Sequence, residues 1–321
     1  MTAPRSGGRA PRSGARSEGH ELGPLSARTL DAVSTLTLRV RRVVEGLQGG
    51  GHASLHLGAS VEFAEHQKYS PGDDIRHIDW RAFARTDRHF VKRHEREVTL
   101  RCLALLDCSA SMGYRGSRSE LTKLQYASVL VGALGHVLVR QGDAVGLLAF
   151  AREPVAYLPP ERRPGHLPVL LSRLAGLAPS DGPGTGFAEA LRRGAERAGR
   201  RALIFVASDL WGADRGTQIA LGSLAARGHD VMLCHVLDPD EVDFPFEGPA
   251  VFHGLEGEGE VEVDPARIRR DYRSELEAAR ERWRRAGGEA GVDLVHAVTD
   301  TAPEAVLGDF AVRRHRSGGR R

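Results

Sequence analysis

Apolar residues along this chain follow two different periods, and the change from one to the other predicts its architecture. Leu30, Val33, Leu36, Val40, Val43 and Leu47 recur at helical spacing. They predict a helix over residues 26–48, stopped by the Gly49-Gly50-Gly51 run. From residue 98 short apolar runs alternate with longer amphipathic stretches. Residues 98–107, 144–150, 202–208, 231–237 and 292–298 read as strands, with 154–158 a short edge strand. Residues 119–140, 162–177, 186–198, 214–227 and 302–312 read as helices. Asp264-Pro265 caps a further long helix, striped by Ile268, Tyr272, Leu276, Ala279 and Trp283.

Strand and helix in alternation predict an α/β fold: a doubly wound, mostly parallel sheet with helices on both faces. Residues 249–263 interrupt the alternation with a small inserted hairpin around Gly257-Glu258-Gly259. The expected organisation is a basic tail (1–25), a helix- and turn-rich segment (26–97), the α/β domain (98–312) and a second basic tail (313–321).

Charge sharpens that division. The formal net charge of +3 arises at the ends: residues 1–20 carry +3 and residues 313–321 carry +5, leaving about −5 on the body between. Hydrophobic residues make up 41% of the chain, enough for a sizeable core in 321 residues. No apolar stretch approaches the ~20 residues that span a bilayer. The opening residues lack the apolar centre of a secretory signal. These features predict a cytoplasmic protein, at most peripheral to a membrane complex. Cys102, Cys108 and Cys234 form no Cys-x-x-Cys pair and read as buried thiols of a reducing compartment.

Candidate chemistry gathers at strand ends. The run ending Leu105-Leu106 delivers Asp107, Ser109 and Ser111 at alternate positions just past a strand's carboxyl end. Ligands of open α/β sheets bind there. Thr185 follows the loop Ser180-Asp181-Gly182-Pro183-Gly184 and opens a helix, and Asp209 ends another strand. An all-oxygen set without imidazole or thiolate suits a hard dication, Mg²⁺ first, with Mn²⁺ and Ca²⁺ as alternatives.

This pattern resembles a von Willebrand factor A-type domain with a metal-ion-dependent adhesion site. Asp107, Ser109 and Ser111 match that family's Asp-x-Ser-x-Ser motif, and Thr185 and Asp209 match its later ligands. Many members follow the aspartate with glycine, where this chain has Leu210-Trp211. Upstream, Glu62-Phe63, Tyr69-x-Pro71-Gly72-Asp73-Asp74-x-Arg76-x-Ile78-Asp79-Trp80 and Ala84-Arg85 are similar to the domain-of-unknown-function family 58. In that family such a block directly precedes an A-type domain, and the likeness runs over residues 38–310. The resemblance implies a non-enzymatic protein-interaction module. Its cation would grip a partner's Asp or Glu, with a MoxR-type AAA+ ATPase as the expected partner in assembly or maturation of a complex.

Other chemistry fits less well. Asp73, Asp74 and Asp79 beside Arg76, Arg81 and Arg85 read as turn-forming and mutually satisfied charges, with Trp80 an anchor. His66, His77, His89 and His94 lack a third donor at ligand spacing. Ser109 lies outside any Gly-x-Ser-x-Gly elbow, and no Walker A motif is present. Two rival readings are a metal-dependent phosphohydrolase and nucleic-acid binding through the Arg-rich tails, the latter falling steeply with salt.

Overall fold

The computed structural model describes residues 27–49, 66–68, 90–92, 99–182 and 184–318. It opens with α1 (Ala27–Gly49), followed by β1 (His66–Lys68) and β2 (Phe90–Lys92), which pair antiparallel. The first half of the main body is β3 (Arg101–Asp107), α2 (Lys123–Arg140), β4 (Ala144–Phe150), β5 (Pro154–Glu161), α3 (His166–Ala175) and α4 (Phe187–Ala198). After β6 (Leu203–Ser208) come α5 (Arg215–Ala226), β7 (Asp230–Leu237) and the short α6 (Pro239–Asp243). The hairpin β8 (Ala250–His253) and β9 (Glu260–Val263) precedes α7 (Pro265–Ala290), β10 (Asp293–Val298) and α8 (Pro303–Gly318). The signature residues Pro71, Gly72, Asp73, Asp74, Arg76, Asp79, Trp80 and Arg85 lie outside the described residues, as do the N-terminal tail and the histidine side chains of that segment.

Six strands form the central sheet in the order β10-β7-β6-β3-β4-β5. All neighbours are parallel except β5, which runs antiparallel to β4 at one edge. Counted along the chain, the order is doubly wound and reverses between β3 and β6, the crevice where such sheets hold ligands. Every residue of β4 and β6 is buried, and β3 exposes only Arg101. Strands covered on both faces carry continuous apolar runs for this reason.

Each face has its own core. One packs α1, α2, α3 and α8 around Val40, Leu106, Leu130, Phe205 and Phe310. The other packs α4, α5 and α7 around Leu105, Phe150, Leu191, Leu221 and Trp283. The stripe expected on the first helix is largely inward, with Leu36, Val40, Val43 and Leu47 buried, although Leu30 is exposed. Gly132 of α2 admits this contact, since a Cβ there would meet Val40 Cγ2 at 2.7 Å.

Boundaries depart from expectation where capping decides them. Thr122 closes a capping box with Gln125, so α2 starts at Lys123 and residues 119–121 precede it. The last helix continues past 312 to Gly318: Arg313 pairs with Asp309 and Arg314 with Asp230, each at 2.8 Å. Two arginines expected in the C-terminal tail are therefore helical and ion-paired, a favourable place for cations near a helix C-terminus. No helix among the described residues is long and apolar enough to cross a membrane.

Gly146 marks where the antiparallel edge strand shifts register, between Val145 and Leu147. A Cβ there would lie 2.6 Å from Pro160 N and 2.7 Å from Leu158 O, both backbone atoms. Gly146→Ala should lower unfolding stability by about 1–3 kcal/mol through overpacking, read as a lower urea midpoint at unchanged m-value.

Candidate functional site

The site is built from the loops beyond β3 and β6, on either side of the sheet's reversal. Asp107 closes β3 with no exposed surface. Its Oδ1 accepts from Ser109 N at 2.8 Å and its Oδ2 from Ser208 Oγ at 2.6 Å, both neutral donors. A 3-10 turn (Ala110–Gly113) then folds the chain back and places Ser111 Oγ 3.2 Å from Ser109 Oγ. Across the crevice Asp209 is also buried, near enough to Ser111 and Asp107 for the Ser111 hydroxyl to favour its ionised form and for the two carboxylates to repel. Asp107, Ser109, Ser111 and Asp209 thus converge.

Thr185 belongs to the third loop. Ser180 N donates to Cys108 O at 2.7 Å and Gly186 N to Ala151 O at 2.9 Å, fixing this loop against the β3 and β4 ends. Thr185 Oγ1 is buried and has no hydrogen-bond partner among the described residues. Among the described residues the link from this loop to the other four runs through Thr185's neighbour: Gly184 N donates to Glu256 Oε2 at 3.0 Å, while Glu256 Oε1 accepts from Ser111 N at 2.8 Å.

Electrostatics set the two aspartates apart. Burial pushes the Asp107 carboxyl well above the ordinary carboxylate range, and the nearby Asp209 adds to the rise, against hydrogen bonds from Ser208 and Ser109. Burial opposes ionisation of Asp209 too, but the Lys123 ammonium beside it holds its carboxyl below the usual value. Lys123 is 1% exposed, with Nζ 2.8 Å from Asp209 Oδ2 and 2.6 Å from Glu241 Oε1. Burial works against its charge, and the two carboxylates together keep it protonated.

The residues fit a hard cation. Among the described residues Thr185 Oγ1 lacks a partner, two serine hydroxyls face one another, and the donors to Asp107 are neutral. Asp107, Asp209, Glu241 and Glu256 outnumber Lys123, the buried ammonium among them. Among the described residues no three His, Cys, Asp or Glu side chains meet as a ligand set, so a cation here must rely on hydroxyls as well as carboxylates.

Residue conformation explains the unusual sequence after Asp209. Leu210 adopts a left-handed φ of 58°, the region glycine favours. Its side chain is buried in one core, its N–H donates to Ser208 Oγ at 2.9 Å, and Trp211 N donates to Asp209 Oδ1 at 3.0 Å. Packing and local hydrogen bonds hold a backbone turn that glycine would adopt without strain.

Sequence comparison places the chain in a family. A model described as protein of unknown function DUF58 matches residues 65–282. The chain belongs to that family. Uncharacterised proteins of Mycobacterium tuberculosis and Mycobacterium bovis are 29% identical to this DUF58 chain over 291 residues, 89% of it and 89% of each relative. Among solved structures, the conserved hypothetical protein BatB from Bacteroides thetaiotaomicron aligns over 68% of this chain and 99% of its own, at 17% identity and TM-score 0.44. The SpRpn10 VWA domain aligns over 65% and 94%, at 14% identity and TM-score 0.37.

Three site residues of the DUF58 chain escape the sequence reading. Lys123 carries a faint signal, a cation in the first turn of an apolar helix where the macrodipole disfavours it. Ser208 is a polar end to an apolar strand. Glu256 sits in a glycine-rich turn and has no local signature. Beside the rim lies a cavity of about 680 Å³, walled by Trp211, Phe244, Phe246, Phe252, Tyr272 and Trp283.

Beneath Asp209 lies a buried histidine. His235 Nε2 lies 3.0 Å from Asp209 O, and its Nδ1 lies 3.2 Å from His296 Nδ1. Burial, together with His296, pushes His235 down to about 3, against Asp209. Unfolded, it takes a proton near its ordinary value, so the unfolded state binds more protons below that point and stability falls with pH. By pH 5 the loss from His235 should reach roughly 2 kcal/mol. Thermal melts of the wild type should drop more between pH 7 and pH 5 than those of His235→Asn.

Proposed function

We propose that this chain is a cation-dependent protein-interaction module rather than an enzyme. A divalent ion, Mg²⁺ in first place, would be held by Asp107, Ser109, Ser111, Thr185 and Asp209 and would supply an electropositive point for a partner's carboxylate. The observation that carries this reading is the convergence of Asp107, Ser109, Ser111 and Asp209 at the sheet reversal, with the partnerless Thr185 hydroxyl in the adjoining loop. A carboxylate completing the coordination of a hard cation gains a charge-assisted contact that neutral side chains do not match.

The chain's own residues do the rest. Lys123 neutralises Asp209 in part, Ser208 and Ser109 N orient Asp107, and the aromatic cavity supports a partner segment with an apolar side chain near its acidic one. The family resemblance supports a MoxR-type AAA+ ATPase as that partner. Affinity capture by the full chain in Mg²⁺, in EDTA, and as Asp107→Ala tests this, with captured proteins identified by mass spectrometry. Capture that needs both Mg²⁺ and Asp107, with a MoxR-type ATPase among the proteins retained, is expected. Identical capture under all three conditions overturns the reading.

A further inference from the structure

The turn between β8 and β9 brings a carboxylate of the chain itself to the rim. The hairpin is docked by aromatic contacts: Phe252 stacks on Phe244 at 5.6 Å, and Phe244 meets Tyr272 of α7 at 4.4 Å. Arg269 fixes the same stretch, donating to Phe244 O and Phe246 O. Beyond β8 the chain tightens, with Gly254 N donating to Gly259 O at 2.7 Å and Gly257 and Gly259 at positive φ. This points Glu256 inward, where it is 7% exposed and bridges Ser111 N and Gly184 N. Glu258 secures the turn by accepting from Glu256 N at 3.0 Å and from the Trp211 indole at 2.9 Å. One turn therefore touches all three loops that carry Asp107, Ser109, Ser111, Thr185 and Asp209.

The brace uses both oxygens, Oε1 taking Ser111 N and Oε2 taking Gly184 N, yet two neutral acceptors would satisfy these N–H groups without a charge. Glu256 instead brings a negative group, largely removed from water, to a rim that already holds Asp107, Asp209 and Glu241. Such a placement is unfavourable unless a cation compensates it. We propose that Glu256 is the resident occupant of the position a partner's carboxylate takes, so that the partner's Asp or Glu must displace the β8–β9 turn to bind. This rests on the cation reading above. The turn is suited to leaving: among the described residues β8 and β9 pair with no other strand, and Leu255, Val251 and Val261 are exposed. Two-stranded hairpins are marginally stable by themselves.

A competitor held in place lowers the partner's apparent affinity by the fraction of molecules that are open. A turn closed nine times in ten costs about tenfold. The test uses the full chain, Mn²⁺ as the ion and a free peptide of residues 254–259 as the carboxylate probe. Electron paramagnetic resonance measures Mn²⁺ uptake. Broadening of the peptide's proton resonances by protein-bound Mn²⁺ measures docking. E256Q should bind Mn²⁺ more weakly, by up to about tenfold, and the peptide more tightly by about tenfold. These opposite signs are the signature of a displaced occupant; a purely structural Glu256 would weaken both together, which overturns the proposal.

E258Q, which frees the turn while leaving Glu256 in place, should retain Mn²⁺ affinity and gain peptide binding. It carries the test if E256Q does not fold, and no gain there overturns the proposal as well. Mn²⁺ uptake by the wild type without any gain in E256Q overturns this proposal alone. No Mn²⁺ uptake by the wild type overturns the cation reading and the proposal with it.

Discussion

Asp107→Ala should abolish divalent-cation uptake, weakening Mn²⁺ binding on the order of a hundredfold or more while the fold persists. Even outer-shell partners of bound metals are worth ten- to a hundredfold in affinity, and Asp107 is the buried carboxylate at the centre of the set. The fold should survive because the substitution also relieves the repulsion between Asp107 and Asp209. Against that gain, Ser208 Oγ and Ser109 N lose an acceptor, at about 1–3 kcal/mol for each buried group left unsatisfied. A Mn²⁺ titration followed by electron paramagnetic resonance, beside a thermal melt, separates the two effects. Equal Mn²⁺ affinity in the variant and the wild type would sink the assignment of Asp107 as a ligand.

Lys123→Met should be the most destabilising substitution at the site, by about 3–5 kcal/mol, the usual cost of stripping one partner from a buried ion pair. The methionine nearly fills the space, so the loss is electrostatic. Asp209 and Glu241 would then face each other without the ammonium between them. For a domain of this size the melting temperature should fall by roughly 10 °C. Excess Mg²⁺ should recover part of that loss in Lys123→Met and raise the wild type less, because the variant offers the ion an uncompensated Asp209. A variant that melts like the wild type would show that Lys123 does not balance these carboxylates.

The contrast between Asp107 and Glu256 shows what could be read in advance. Asp107, Ser109 and Ser111 are visible because a buried parallel strand is a continuous apolar run, and the residues that follow it lie at a sheet edge by topology. Asp209 is visible for the same reason, and its neighbour Leu210 announces a departure whose outcome is the left-handed backbone at that position. Glu256 is invisible because its partner Ser111 lies 145 residues away and no periodicity links a hairpin turn to a strand end. Lys123 lies between these cases. Its place at a helix start is odd locally, yet only the assembled fold brings Glu241 and Asp209 to it. Helix ends depart from the spacing pattern where a side-chain cap or an ion pair decides them, as at Thr122 and at Arg313.

Val40, fully enclosed and seated over Gly132, ties the opening helix to the same core that supports β3. A fragment beginning at residue 98 would strip Leu36, Val40, Val43, Val44 and Leu47 from α2, α3 and α8 and leave a greasy furrow open to water. Workers trimming this protein to its α/β domain should keep residue 27 onward, since a shorter piece opens that furrow and invites aggregation.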